Sequence, residues 1–594
     1  MISTNLKRGW LFVALLCMCS HVLWSQATAI VMDGWFDDWA DVPSWTDGED
    51  PEAAVDLLEM KAAHDNEFLY VYVRLSTDIN LSSTLIPHNL FLQIDTDMDA
   101  STGFAAQSGF GSELGIKFNE RFAYYNVQPD TLADFYALGL NVAPTVTSSE
   151  FELAIRRDVV PDGVHPLFPQ STIRLLFREV ASGDFMPDDG STFEFTFSEE
   201  LVPPVDPISM AKPNLPSIRT CAYNVLAGGL VAPDRQPHLQ RVVQAIDADV
   251  YFFSECLYDE EATIQALLDA WLPTPETGGW HVHKHEDMMT ASRWAHLQTW
   301  DSLASHSPVL IDVPTSLGGP MLFVNSHLYC CAYNDTRQDQ VDAFMAWWLE
   351  ASGSEVPTHT PVIYGGDLNL VGYAEQLTTL LEGEIVQTAE FGPGAPPDWD
   401  GTAWADVQPR HTHARTTHTW RTYAGYTYPP NPLPPGYFPP GRLDYLIYSD
   451  ATLTVENDFV LRTEALPSAI LEDYGLQAQD TETGADHLPV VADFMSISLA
   501  QTDDDNDGLN YAEEFALGTD PLSADTDGDG LTDLFETTYS NTNPTATDSN
   551  DNGCADGQES IGLCGCMGDL DNDQNVGVGD LLILLTQFGA SCSN

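Results

Sequence analysis

The stretch Pro361–Asn369, PVIYGGDLN, joins a short apolar run to two glycines, Asp367 and Asn369. The apolar residues Pro361–Tyr364 read as a buried strand that ends in a polar motif. In α/β folds, ligands bind at the carboxyl ends of sheet strands. We therefore expect Asp367 and Asn369 to lie at a functional site, and the segment around them to belong to an α/β domain.

Five further segments place a metal-binding or proton-handling group beside an apolar run. In chain order they are Cys221–Val225, Ser254–Glu255, Asn325–Leu328, Arg442–Tyr445 and Ala485–Pro489. Hydrolysis of a phosphate ester at neutral pH needs an activated water, neutralised equatorial charge and a stabilised leaving oxygen. The histidines, carboxylates and asparagines of the six segments can supply each of these needs.

The order and local contexts of the six segments resemble the endonuclease/exonuclease/phosphatase superfamily, which includes deoxyribonuclease I. The resemblance implies a four-layer α/β sandwich for residues 217–497. It implies that a catalytic magnesium or manganese ion is held by Asn224, Glu255 and Asp486. It also implies catalytic roles for His327, Asp367, Asn369, Asp444 and His487.

Two arginines are candidates for binding the substrate phosphate. Guanidinium groups are planar and bind phosphate in a bidentate manner. On this ground we predict that Arg293 and Arg337 bind substrate. Three histidines, His411, His413 and His418, lie in an irregular segment rich in proline and tyrosine. We interpret them as solvated loop residues, with substrate contact as the alternative.

Residues 30–200 read as all-β, with strands near 69–73, 89–94 and 193–197. Short patterns in this region, such as Asp33–Trp39, resemble family 9-like carbohydrate-binding modules. The resemblance implies a β-sandwich and a possible glycan ligand.

Two details of that region have alternative readings. Asp95, Asp97 and Asp99 alternate like calcium ligands, and the alternative is a solvated acidic turn. Trp35 and Trp39 offer stacking surfaces for sugars, although such residues are more often part of a core.

Three loops in the C-terminal quarter follow the calcium-loop rule, with oxygen ligands at positions 1, 3, 5 and 12 and glycine at position 6. They repeat at roughly 22 residues, which indicates a stacked array. The ligands are Asp503, Asp505, Asp507, Glu514, Asp525, Asp527, Asp529, Glu536, Asp548, Asn550, Asn552 and Glu559. These loops resemble thrombospondin type 3 repeats, which implies bound calcium.

The last segment, residues 566–594, resembles half of a dockerin. Its candidate calcium ligands are Asp569, Asp571, Asp573 and Asp580. The resemblance implies a cohesin-like or cell-surface partner for the tail.

The 594 residues include 89 acidic and 22 basic side chains, a formal net charge of −67. This charge argues against general affinity for nucleic acids or anionic membranes. We interpret it as solubility in a salty or calcium-rich medium, together with the carboxylates of the metal loops.

Residues 1–29 read as a secretory signal, because a basic pair precedes the apolar run 10–24 and small residues follow. We expect a secreted or cell-surface protein, with an uncleaved anchor as the alternative. Export permits disulfides, and Cys221 with Cys256, in neighbouring motif strands, is a candidate pair.

These observations predict a multidomain protein. Its parts are a signal peptide (1–29), a β-sandwich (30–200), a proline-rich linker (201–216), a hydrolase domain (217–497), calcium repeats (503–560) and a dockerin-like segment (566–594). The first functional hypothesis is an extracellular nuclease or phosphodiesterase. The second is a phospholipid or inositol-phosphate phosphoesterase, and the third a calcium-dependent adhesion or glycan-binding protein with an inactive hydrolase domain.

Overall fold

A computed structural model describes ten stretches of the chain. They are residues 27–83, 88–107, 109–125, 132–133, 135–187, 190–276, 278–421, 438–550, 552–560 and 578–587. The predicted signal peptide up to residue 26 and most of the dockerin-like segment lie outside them. Within the described stretches, no helix has both the length and the apolar character needed to cross a membrane.

The chain divides into two compact units. The first takes its described residues from 1–143, 148–204 and 431–439, and the second from 144–147, 205–430 and 440–594. The predicted domain limits at 200 and 217 bracket the boundary near residue 204, whereas the repeats beyond residue 503 fall within the second unit.

The first unit consists of antiparallel strands. They are β1 Ser44–Thr46, β2 Leu57–His64, β3 Phe68–Ile79, β4 Leu90–Asp95, β5 Phe104–Gln107, β6 Phe110–Ser112, β7 Leu114–Lys117, β8 Phe122–Tyr125, β9 Leu132–Ala133, β10 Asn141–Ala143, β11 Ser148–Arg156, β12 Thr172–Glu179, β13 Asp184–Met186 and β14 Phe193–Thr196. The three strands predicted from the sequence fall on β3, β4 and β14.

Two sheets account for most of these strands. One has the order β1-β2-β3-β11-β10, and the other β13-β12-β4-β7-β8-β9, with β14 also paired to β12. A single hydrophobic core contains residues of both sheets, among them Val71 and Leu153 of the first and Leu92 and Leu175 of the second. The other face of the first sheet is also covered, because β3 is buried on both faces and a smaller core lies on that side.

Trp35 and Trp39 differ in environment. Trp39 is fully buried, and its indole Nε1 donates a hydrogen bond to Glu152 Oε2 at 2.9 Å, so it is a core residue. Trp35 is 59% exposed. The burial of Trp39 contradicts the stacking alternative for that residue.

The acidic turn after β4 gathers Asp95, Asp97 and Glu113, with one carboxylate oxygen of each within 4.8 Å of the others. Burial raises the pKa of Glu113 to about 7. Asp99 accepts hydrogen bonds from Ser101 and is not part of this group. The sequence pattern therefore found two members and missed Glu113, which reaches the turn from the neighbouring hairpin.

Among its described residues, the second unit has twelve strands and eight α-helices before the repeats. The strands are β15 Ile218–Asn224, β16 Val250–Ser254, β17 His281–His285, β18 Met288–Ser292, β19 His296–Thr299, β20 His306–Ile311, β21 Met321–His327, β22 Val362–Asp367, β23 Ala405–Asp406, β24 Asp444–Tyr448, β25 Leu453–Val460 and β26 Val490–Ser496. The helices are α1 Gln236–Ile246, α2 Glu261–Trp271, α3 Asn334–Ala351, α4 Glu375–Glu382, α5 Thr388–Phe391, α6 Ser468–Asp473, α7 Asp480–Gly484 and α8 Ile497–Ala500. In the tail, α9 Tyr511–Leu517, α10 Asp533–Phe535, α11 Asp556–Ser560 and α12 Val578–Gln587 follow.

Two six-stranded sheets organise this unit. Their orders are β17-β18-β16-β15-β26-β25 and β19-β20-β21-β22-β24-β23. One core lies between them, with Phe252 of the first sheet against Phe323 of the second. A second core joins α1 and α2 to the first sheet, and a third joins α3 and α4 to the second.

The parallel pairs are central in each sheet. β15 pairs in parallel with β16, and β21 with β22. Parallel strands bring their carboxyl ends to the same edge of a sheet. The motifs that follow these strands are thereby placed close together.

Three histidines of the second unit are buried and neutral. His306 bonds Ala304 O and Tyr364 Oη and stacks on Phe344, and burial lowers its pKa to about 4. His411 and His418 are also buried, with their pKa values lowered chiefly by burial. The prediction of solvated loop histidines is therefore wrong for these two, because the loop folds back so that His411 Nε2 bonds the His418 carbonyl and His418 Nδ1 bonds Thr416 Oγ1.

We expect the free energy of unfolding to fall as the pH is lowered from about 6.5 to about 4. In this range the imidazoles become protonated in the unfolded state, whereas the buried imidazoles of the folded state stay neutral. Each such histidine contributes a loss of about 1 kcal/mol per pH unit. His306→Gln should flatten this dependence, since glutamine does not titrate. Urea unfolding at several pH values measures it, with the exposed His359→Asn as control. An equal slope in His306→Gln and His359→Asn would contradict the assignment.

Candidate functional site

Seven of the predicted site residues meet at one edge of the two sheets. Asn224 ends β15, Glu255 follows β16, His327 ends β21 and Asp367 ends β22. Asp444 begins the antiparallel β24 directly opposite Asp367. Asp486 and His487 precede β26, which runs antiparallel to β15, so they arrive at the same edge.

Asn224 connects the two sheets at this edge. Its amide Nδ2 donates to Glu255 Oε1 and to Asp367 Oδ2, both at 3.0 Å. Its Oδ1 accepts from the Leu226 amide at 2.9 Å. In this orientation Asn224 positions two carboxylates with its nitrogen, whereas the predicted metal ligation would use its oxygen.

Two of the site residues have left-handed backbone. Glu255 has φ = 60° and Asn369 has φ = 51°. Such conformations are uncommon for residues other than glycine and collect at functional sites. Here the turns are held by Ala227 N–H to Glu255 Oε2 at 2.8 Å and by Asn369 N–H to Asp367 Oδ1 at 3.0 Å.

Two imidazoles converge on one carboxylate oxygen. His327 Nε2 and His487 Nε2 each lie 3.6 Å from Asp367 Oδ2. On its far side, each ring has a carboxylate partner at Nδ1: Asp287 at 2.8 Å for His327, and Asp444 at 2.7 Å for His487. A carboxylate at Nδ1 fixes the ring and raises its basicity.

The pKa of each imidazole is raised. Burial works to lower the pKa of His327, but the Asp287 hydrogen bond and the charges of Asp367 and Asp287 outweigh it and bring it to about 9. Burial likewise opposes charging of His487, yet the charges of Asp444 and Asp367 hold its pKa well above the usual range. Both rings are therefore protonated near neutral pH and present an N–H to the space beside Asp367.

Asp287 is a site residue that the sequence analysis missed. It lies in the turn between β17 and β18, and Cys256 N–H donates to its carbonyl at 2.7 Å. Although burial favours its neutral form, the hydrogen bond and charge of His327 lower its pKa. No local motif marks it, because it reaches His327, which ends a strand of the other sheet, through the packing of the two sheets.

The arrangement fits a hard divalent cation. Asp486 Oδ1 is buried and has no hydrogen-bond partner among the described residues. Burial raises the pKa of Asp486, and the nearby charge of Glu255 raises it further. Hard cations prefer oxygen ligands. At this edge the ligand atoms of Asp367, Asp444 and His487 lie within 4.8 Å of one another, and Glu255 and Asp486 add two further carboxylates whose charges interact.

Arg293 does not reach this site, contrary to its predicted role in substrate binding. Its guanidinium pairs with Asp247 at 2.5 Å and Asp249 at 3.2 Å. These residues precede β16, and Glu255 follows it, so the length of the strand separates Arg293 from the metal ligands. Its ion pairs with Asp247 and Asp249 stabilise the beginning of β16, at the end opposite Glu255.

Arg337 is near the site but fully buried. Its guanidinium donates to Tyr329 O at 2.7 Å, Cys331 O at 2.9 Å and Asn334 Oδ1 at 2.6 Å. It therefore holds the loop that follows His327, and its predicted contact with phosphate is not available.

The described cysteines do not pair as expected. Cys221 and Cys256 are both free and buried. Cys221 lies opposite Tyr251 in the sheet, and Cys256 is five residues further along, beyond the roughly 7 Å that a disulfide can span. Cys330 instead forms a disulfide with Cys331, in the loop that Arg337 holds.

Exposed apolar side chains surround the strand ends that carry the site. Leu257 and Tyr258 follow Glu255, and Tyr258 is 86% exposed. Tyr329 and Tyr333 follow His327, are about half exposed and meet edge to face at 5.0 Å. We call Leu257, Tyr258, Tyr329 and Tyr333 the aromatic rim.

The first two calcium loops gather their predicted ligands. Oxygens of Asp503, Asp505 and Asp507 lie within 4.8 Å of one another, as do those of Asp525, Asp527 and Asp529. Glu514 is fully buried, and neither of its carboxylate oxygens has a hydrogen-bond partner among the described residues. Burial, followed by the charges of Asp505 and Asp507, raises its pKa to about 8. Both loops therefore have the form of cation sites.

The loops are also joined to each other. Asp529, Glu536 and Asp556 form a further group, with Asp556 contributed by the third loop. Asp533 and Asp556 occupy position 9 of their loops, which the 1, 3, 5, 12 rule does not include. In the third loop, Asn550 and Asn552 direct their amide nitrogens at Glu559. Asp569, Asp571, Asp573 and the side chain of Asp580 lie outside the described residues.

Comparison with known proteins identifies the repeats. Residues 503–524 and 525–546 match the family model of the bacterial TSP3 repeat. The prediction of thrombospondin type 3 repeats is thus confirmed for these two segments. No curated protein matches the chain.

The chain also resembles solved structures at low identity. The catalytic domain of human Nocturnin, with bound sulfate, is 16% identical, over 48% of this chain and 95% of that one, with a TM-score of 0.29. TDP2 of D. rerio, complexed with a single-strand DNA product, is 17% identical over 47% and 98%, with a TM-score of 0.31. An endonuclease/exonuclease/phosphatase from Bacteroides vulgatus is 12% identical over 47% and 99%, with a TM-score of 0.31.

Proposed function

We propose that the second unit is a secreted, metal-dependent phosphoric-ester hydrolase that acts as an extracellular nuclease or phosphodiesterase. The observation that supports this most is the pair of imidazoles whose Nε2 atoms both lie 3.6 Å from Asp367 Oδ2. Two protonated rings beside one carboxylate suit a tetrahedral anion that must be held while a water is activated.

The roles follow from the hydrogen bonds. His327 and His487 donate from Nε2 to phosphate oxygens, and His487 is placed to give a proton to the leaving oxygen. Asp367 accepts a proton from the attacking water, since its Oδ1 is fixed by the Asn369 amide. Asp287 and Asp444 orient the rings. A divalent ion held by Glu255 and Asp486 would supply charge neutralisation at the phosphate.

The aromatic rim supports a second candidate, a phospholipid or inositol-phosphate phosphoesterase. Exposed tyrosines beside a phosphate site can stack on nucleobases or enter a lipid interface. The net charge of −67 disfavours long polyanions and so favours short substrates. A panel assay with duplex DNA, RNA, sphingomyelin and inositol phosphates separates the candidates. A glycan ligand of the first unit and a partner of the tail remain predictions.

We expect Glu255→Gln to raise the magnesium or manganese concentration needed for half-maximal rate by about tenfold or more, because a neutral amide binds a hard cation less well. The measurement is a metal titration of hydrolysis by the full chain. Asp525→Asn, which alters a tail loop, is the matched control and should titrate like the parent. If Glu255→Gln titrates like Asp525→Asn, Glu255 is not a metal ligand.

A further inference from the structure

Four histidines and one aspartate lie close together on and beside one edge strand of each sheet of the second unit. β17 is the edge strand of the first sheet and β19 is the edge strand of the second. β17 contributes His281, His283 and His285, and β19 begins with His296. Asp301 lies just after β19. We call these five residues the histidine cleft.

The alternation of β17 explains why its three histidines face the same way. Successive side chains of a strand point to opposite faces, so residues two apart share a face. Val282 packs on the core beneath α1 and α2, and Lys284 donates to Leu257 O and Asp259 O. The histidines between them therefore face the second sheet.

Asp301 is the point on which two of these rings converge. His283 Nε2 lies 2.9 Å and His285 Nδ1 3.8 Å from Asp301 Oδ1. His285 Nε2 bonds the Leu303 carbonyl at 2.8 Å, and a carbonyl only accepts, so this nitrogen carries the proton. In the neutral ring, Nδ1 then presents a lone pair toward a carboxylate oxygen, at a distance too long for a hydrogen bond.

Such an arrangement is the one that metal-binding histidines show. Their second ring nitrogen almost always donates to a carbonyl or carboxylate, which fixes the tautomer and the ring orientation. Two ligand atoms on one tetrahedral ion, each about 2 Å from it, lie roughly 3.3 Å apart. The two separations around Asp301 Oδ1 lie on both sides of that value. His283, His285 and Asp301 are not among the groups whose ligand atoms all lie within 4.8 Å of one another, so the two rings must rotate toward each other before they can share one ion.

His281 and His296 stand beside this group, with ring centroids 6.0 Å apart. Ser292 Oγ donates to Trp294 O at 2.5 Å, so it accepts from His296 Nε2 at 3.1 Å. His296 Nδ1 is then free of a proton.

We propose that the histidine cleft binds a divalent transition-metal ion through His283, His285 and Asp301, with His281 or His296 able to complete the coordination. Mixed imidazole and carboxylate ligands select zinc, copper or nickel over magnesium and calcium. The cleft is therefore distinct in chemistry from the oxygen-rich catalytic site and from the tail loops.

The position of the cleft gives the ion a structural consequence. β17 and β18 form the hairpin whose turn carries Asp287, the partner of His327. Asp301 and Leu303 belong to the segment between β19 and β20 of the other sheet. An ion in the cleft ties the hairpin to that segment and so stabilises the placement of Asp287.

The test uses the full chain, stripped with a chelator and returned to excess calcium and magnesium so that the oxygen-rich sites are filled. Zinc is titrated against a chromophoric chelator, and cobalt is followed by its visible absorption, which reports nitrogen ligands in a tetrahedral field. We expect one equivalent bound at micromolar or lower zinc, with a raised Tm. His283→Gln/His285→Gln should weaken binding about tenfold or more.

His359→Asn, an exposed histidine elsewhere, and Glu255→Gln, at the catalytic site, should both bind zinc like the parent. If the double variant does not fold by circular dichroism, Asp301→Asn decides the question, because that side chain is largely exposed and its loss should still weaken binding about tenfold. The proposal is overturned if the parent binds no zinc at micromolar concentrations. It is equally overturned if the folded variants bind as the parent does.

Discussion

Replacing His487 by alanine is expected to lower the rate of phosphate-ester hydrolysis by about a hundredfold or more, the usual contribution of a general acid–base group. His487 is buried, its Nδ1 is held by Asp444 at 2.7 Å, and its Nε2 faces Asp367. A protonated ring in that position can donate a proton to the leaving oxygen. Initial rates on the best substrate of the panel measure the effect.

Asp444→Asn tests the role of the His487 imidazole in a second way. Asparagine keeps the shape but removes the charge that holds His487 protonated, so the rate should fall while substrate KM changes little. His359→Asn is the control for both variants, and circular dichroism checks the fold. Parental rates in His487→Ala would show that the imidazole takes no part in the reaction.

The second large effect concerns the tail. Removal of calcium is expected to unfold residues 503–560, because the loops bring carboxylates within 4.8 Å of one another with no basic side chain to compensate in either triad. Limited proteolysis with and without chelator measures this. With chelator, cleavage in the tail should accelerate by about tenfold or more, because local unfolding then costs less free energy. Circular dichroism should show the same transition.

Glu514 supplies the matched comparison. Glu514→Gln should raise the calcium concentration that protects the tail, since it removes a buried carboxylate from the first loop. Glu513→Gln changes the exposed neighbour and should leave that concentration unchanged. Equal protease resistance in calcium and in chelator would contradict calcium-dependent folding.

Local sequence was sufficient where one strand and its following turn supply the functional group. Asp367 and Glu255 each end an apolar run, so their positions at the sheet edge follow from the run itself. The calcium loops were equally predictable, because the spacing of their ligands is local and recurs at a constant period along the chain.

Contacts between residues that are far apart in the sequence could not be predicted from it. Asp287 orients His327 only because the two sheets pack against each other, and nothing near it in the sequence indicates this. Arg337 was predicted to bind phosphate from its chemistry alone, yet the loop carbonyls of Tyr329 and Cys331 occupy its guanidinium. Residue type predicts what a group can do, while burial and partners decide what remains available.

The central claim is that the edge formed by β15, β16, β21 and β22 hydrolyses phosphate esters. The most direct test is the turnover of bis-p-nitrophenyl phosphate and the substrate panel by the parent and by Asp367→Asn, with magnesium or manganese. The parent should hydrolyse at least one compound, and Asp367→Asn should lose about a hundredfold or more, because its amide cannot accept the proton of the attacking water. No turnover by folded parent protein with either metal, or equal turnover by both proteins, would contradict the claim.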